Sequence, residues 1–102
     1  MAQSKHNNPD EDAIKQLRLQ PNIGNYLAEK LLNAEIYSID HLRSIGSESA
    51  FIRLNSVDKS ICINVLYTLE GAVQGIRWHS LGKARKAELL DFYNQLKRSS
   101  EK

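Results

Sequence analysis

Sliding the 102-residue sequence over itself by 22 positions aligns Leu17 with Ile39, Ile23 with Ile45, Gly24 with Gly46, Ala28 with Ala50 and Leu32 with Leu54. A repeat this short is not a domain; it is the size of one helix-turn-helix unit. Each copy reads as a helix, an x-Ile-Gly-x turn, and a second helix with Ala as the fourth residue after Gly. Two short helices cannot enclose their own apolar faces, so the copies must share a core. No segment alternates apolar and polar residues over more than a few positions, and no Asn-Gly hairpin dipeptide occurs, which argues against strands. The fold class is all-α, with five to six short helices.

The spacing predicts a first helix from Ala13, capped by Asp10 or Asp12 and stopped by Pro21, and a second over Asn25 to Asn33. Ser38 is placed to cap a short third helix running to Ile45 and ending at Gly46; a fourth starts at Ser47 or Ser49 and carries Phe51, Ile52 and Leu54. The least polar stretch, Ile61 to Ile76, forms a central helix with Cys62, Val65, Leu66, Leu69, Ala72, Val73 and Ile76 on one stripe. A last helix runs from about Leu81 to Arg98, with Ser80 as cap and Leu89, Phe92, Tyr93 and Leu96 inward. The domain is thus residues 13–98, preceded by a polar leader at 1–12 and followed by a frayed tail at 99–102. On the central helix, Asn64, Thr68, Gly71 and Gly75 make a narrow face of small groups that a helix or a ring, with Trp78 the natural candidate, can approach closely.

Composition removes several functions. One cysteine, Cys62, and scattered His6, His41 and His79 offer no metal-ligand cluster, and no phosphate-cradling, dinucleotide or nucleophile-elbow motif occurs. The expectation is a non-enzymatic chain with no cofactor, no metal and no small-molecule substrate. No run has the roughly 18 apolar residues of a membrane span, and the first residues lack an apolar signal core; the expected setting is the cytoplasm, without membrane contact.

The paired Ile-Gly turns resemble the helix-hairpin-helix module, in which backbone N–H groups at a helix start touch a nucleic-acid phosphate. A longer match is more specific. Asn22-Ile23-Gly24, Leu27, Ile36-Tyr37-Ser38-Ile39, Leu42 and Ile45-Gly46, then the Asn64 to Gly75 block Asn-Val-Leu-Tyr-Thr-Leu-Glu-Gly-Ala-Val-Gln-Gly, Trp78 and Leu81, resemble the C-terminal domain of the TfoX/Sxy regulators of bacterial competence. The resemblance covers about residues 13–96. It implies a small domain of tandem helix-hairpin-helix-like units, a link to transcriptional control of DNA uptake, and one half of a two-part regulator standing alone.

The candidate nucleic-acid contacts are Asn22, Gly24 and Asn25 in the first turn, Gly46 and Ser47 in the second, and Lys83, Lys86, Lys97 and Arg98 on roughly the side of the last helix opposite its apolar stripe. Where DNA-binding hairpins carry Gly-x-Gly and a following Lys, this chain has Asn22 and Ser44, then Tyr26 and Glu48; Asn22 still suits a left-handed turn, whereas Glu48 repels phosphate. Connection geometry is therefore favoured over phosphate binding at both turns. Arg77 to Lys102 holds seven Lys and Arg against three acids, a local +4, while residues 1–76 hold seven against nine, an asymmetry that suits an acidic partner as well as a merely solvated face. Glu70 reads as a helix-connecting acceptor, Trp78 as core, Cys62 as a buried inert thiol, His41 as a surface residue, and the four tyrosines as partly buried. The expected partner is DNA or a transcription-machinery protein; the alternative is a homodimer using Leu90 and the tyrosines without nucleic-acid contact.

Overall fold

The computed structural model describes residues 9–20 and 22–100; the leader through Asn8, the Pro21 stop, residues 101–102 and the side chains of Pro9, Asp10 and Ser100 lie outside the described residues. The architecture is all-α: α1 (Pro9–Arg18), α2 (Asn25–Asn33), α3 (Ile39–Val57), α4 (Ile63–Gln74), a 3-10 turn (Trp78–Ser80) and α5 (Lys83–Ser100). Among the described residues there is no strand.

Several boundaries differ from the expectation. The first helix starts at Pro9 rather than Ala13, because the fixed φ of proline suits a first helical turn. The expected third and fourth helices form one bent element: Gly46 takes φ 85° and ψ 165° and the helix resumes at once. Ser38 caps α3 as anticipated, its Oγ accepting from the His41 N–H at 3.0 Å, and His41 is half-buried beside it. Gly75 closes α4 in the left-handed region, φ 75°, so it terminates the helix instead of lying within it. Ser80 belongs to the 3-10 turn rather than to the start of α5, which begins after Gly82, whose carbonyl accepts from the Lys86 N–H. Cys62 lies outside the apolar stripe: as the extended residue before α4 it is exposed rather than buried.

One apolar cluster joins all five helices, with Leu17, Leu31, Leu42, Phe51, Leu66 and Leu89 fully enclosed. The helix α4 packs against α3, the 3-10 turn and α5. Trp78 is half-buried at the edge of this cluster, stacked on His79 (centroids 4.1 Å apart) and Tyr67 (6.0 Å). Tyr26 and Tyr37 are exposed, contrary to expectation.

The small-residue face of α4 has a different visitor from the one anticipated. A Cβ at Gly71 would lie 2.6 Å from the Asn22 amide nitrogen, 2.8 Å from the Ile76 carbonyl oxygen and 3.0 Å from the Trp78 nitrogen. The approach is therefore made by the first turn and by the chain leaving α4. Asn22, at φ 77°, locks the two together: its Nδ2 donates to the Ile76 carbonyl at 2.7 Å, and its Oδ1 accepts from the Trp78 N–H at 3.1 Å. Losing the amide leaves a part-buried donor and acceptor unsatisfied, which costs about 1–3 kcal/mol. Gly71→Leu is expected to abolish cooperative thermal unfolding. Asn22→Gly, which keeps the turn but removes the amide, should lower stability by about 1–3 kcal/mol in urea denaturation; unchanged midpoints would contradict this packing.

Candidate nucleic-acid interface

At the first turn, Gly24 precedes α2 with extended backbone, and no side chain caps the N–H groups that follow. Gly24 and Asn25 are exposed. Asn22, Gly24, Tyr26 and Leu27 face Asn64, Val65 and Thr68 of α4 across a shallow groove of about 270 Å³. The Asn22 amide is occupied by the Ile76 and Trp78 backbone, so this turn offers main-chain donors but no side-chain cation. Lys30, one turn further along α2, is paired with Asp58. That pairing and the Ser60 N–H and Oγ donors hold the Asp58 carboxyl well below the usual carboxylate range.

The second turn is turned inward. Ser47 is 1% exposed, and its Oγ donates to Glu70 Oε1 at 2.6 Å. Glu70 itself is 6% exposed; its Oε2 accepts from Gln74 at 2.6 Å and its Oε1 from Arg85 at 3.1 Å. Arg85 also reaches Glu48 (3.1 Å) and Glu88 (3.0 Å). Burial alone would raise the Glu70 pKa, but donation by Arg85, Ser47 and Gln74 outweighs it and the net direction is down. Glu70 thus ties α3 to α4 and α5, the connecting role its position suggested. No buried side-chain polar atom among the described residues is left without a partner.

The four basic candidates of α5 do not form one face. At about 100° per residue, Lys86 and Lys97 fall only about 20–40° from Tyr93, on the margin of the apolar stripe. Both are half-buried over rings: Lys86 over Trp78 (5.5 Å) and Tyr67 (5.9 Å), Lys97 over Tyr93 (5.5 Å) and Phe51 (6.0 Å). Lys97 further donates to Asn55 Oδ1 at 3.1 Å and the Lys59 carbonyl at 3.3 Å, which makes it a clasp between α5 and the end of α3. Lys83 and Arg98 are exposed. Lys86 and Lys97 are separated by about 16 Å of helix axis. Arg85 was missed from sequence; its i,i+3 neighbour Glu88 was a visible signal, whereas Glu48 and Glu70 meet it only through folding.

Because the folded state favours ionised Glu70, its contribution is complete above the ordinary carboxylate pKa and is lost as pH falls through the lowered folded value. Glu70→Gln should therefore cost about 1–3 kcal/mol at pH 7, and the gap between wild type and variant in urea midpoint should narrow on acidification to pH 3; a constant gap would contradict the assignment.

Among the described residues no group of His, Cys, Asp and Glu is arranged to hold a metal, and no helix is long and apolar enough to cross a membrane. The TfoX C-terminal domain model matches residues 12–93. Protein Sxy of Escherichia coli (strain K12) is 29% identical over 82 residues, covering 80% of this chain and 39% of Sxy, so the chain spans well under half of that relative. An uncharacterised protein from Listeria monocytogenes, solved in a triclinic form, superposes with a TM-score of 0.78 at 47% identity over 79% of this chain and 92% of that one. A Listeria monocytogenes protein of unknown function in a tetragonal form gives 0.75 at 46% identity, covering 81% and 98%. With the helical fold, the Asn22 turn and the Glu70 block in place, the match over most of its length makes this chain a member of the TfoX C-terminal domain family, a family of competence regulation.

Proposed function

We propose that the chain is a non-enzymatic regulatory binding module that acts in transcription and competence control by binding nucleic acid or the transcription machinery. The observation that supports this most is the segregation of charge: a local +4 in residues 77–102 beside a net −2 in residues 1–76. The strongest polar cluster does not resemble an acid/base pair, since both Glu70 oxygens accept short hydrogen bonds and Arg85 is held by three carboxylates. That is the pattern of a structural tie.

A homodimer is the second reading, favoured by the exposure of Leu90 (43%), Tyr26 (59%) and Tyr37 (51%). The two are separated by anisotropy on labelled duplex DNA run beside light scattering. Nucleic-acid binding is expected to be present at about 50 mM salt and to weaken with a steep log–log slope as salt rises. A dimer that ignores duplex at low salt would replace the leading reading with the second.

A further inference from the structure

Between Gly71 and Ala87 the chain contains no Asp or Glu, yet it carries Arg77, Lys83, Arg85 and Lys86. Folding sorts these cations. Arg85 turns inward and is neutralised by Glu48, Glu70 and Glu88. Arg77 and Lys83 remain exposed and form no ion pair among the described residues. Arg43 of α3 joins them: its Nε donates to the Val73 carbonyl at 3.3 Å, and its guanidinium lies beside Gly75.

The platform beneath these charges is fixed. Gly75 ends α4, Asn22 holds both the Ile76 carbonyl and the Trp78 N–H, and Trp78 stacks on Tyr67 and His79 with Lys86 over its ring. Lys83 and Lys86 also occupy the first turn of α5, where the helix dipole disfavours cations. Positive charge is thus placed against the local field on a rigid corner, an arrangement that a polyanion would relieve.

We infer that this α4–α5 corner is the surface that meets the phosphate backbone of duplex DNA, through Arg43, Arg77, Lys83 and Lys86, in preference to either Ile-Gly turn. The inference rests on the nucleic-acid arm of the proposed function. The Trp78 ring is already engaged by Tyr67, His79 and Lys86, so it offers no open platform for an unpaired base, and contact falls to charge on phosphate. Binding is then largely independent of sequence. With about four phosphates neutralised, affinity should fall about 150-fold between 50 and 200 mM salt.

The test is anisotropy on a labelled duplex with wild type, the double variant Arg77→Ala/Lys83→Ala, Asn25→Asp at the first turn and Arg98→Ala at the far end of α5, all checked by circular dichroism melting. The corner variant should bind at least about tenfold more weakly at 50 mM salt, with the log–log salt slope reduced by about two. Asn25→Asp and Arg98→Ala should bind as wild type does. A wild type that binds while the corner variant binds equally well would overturn the site and leave the DNA-binding reading standing. A wild type that does not bind duplex at 50 mM salt would overturn both. Displacement of the duplex by poly-glutamate more readily than by unlabelled duplex would assign the corner to an acidic protein partner instead.

Discussion

The Arg85–Glu70 contact is the interaction on which the arrangement of the last three helices turns. A carboxylate only 6% exposed is tolerated in the most apolar helix because three donors from three helices meet its two oxygens, and a buried ion lacking such partners would cost several kcal/mol. The contact fixes the rotation of α5 about its own axis. With Arg85 directed at α3 and α4, Leu89 enters the core, and Lys86 and Lys97 come to lie against aromatic rings rather than in open solvent.

The same contact decides which polar groups of the hairpins remain free. Ser47 and Glu48, which follow the second Ile-Gly turn, are spent on Glu70 and Arg85. The first turn is consumed in a parallel way, since the Asn22 amide clasps the chain leaving α4 across the gap that Gly71 keeps open. Both turns therefore act as connectors of the helical stack, while Arg77 and Lys83 at the corner that follows α4 stay exposed. Glu48, Glu70 and Glu88 are held by Arg85 instead.

Features set by neighbours in sequence were legible before folding was considered. The helical periodicities, the Ser38 cap, the left-handed Asn22 and the glycine at the α3 bend all follow from local rules of phase and backbone conformation. The two Ile-Gly turns nevertheless differ in conformation: the left-handed residue is Asn22 in the first and Gly46 itself in the second, a difference that residue identity at Gly24 and Gly46 does not encode. Helical phase carried back past Ile63, the first residue of α4, puts Cys62 on the apolar stripe, whereas its backbone is extended and its side chain exposed. The partners of Glu70 were invisible because Ser47 and Arg85 reach it only across helices. Placing the four basic residues of α5 on one face opposite the stripe misjudges Lys86 and Lys97, which helical phase already sets about 20–40° from Tyr93, whereas the rings they lie over come from other elements as well.

Polar groups at the Ile-Gly turns hold the fold together, and the proposed contact surface lies apart from them at the α4–α5 corner. Amide chemical-shift changes of isotopically labelled protein titrated with a short duplex at low salt test it most directly. The amides of Arg77 to Lys86 are expected to move in a dose-dependent way while those of Gly24 to Leu27 and Gly46 to Glu48 stay still. Shifts concentrated at those turn amides, with the corner silent, would contradict it.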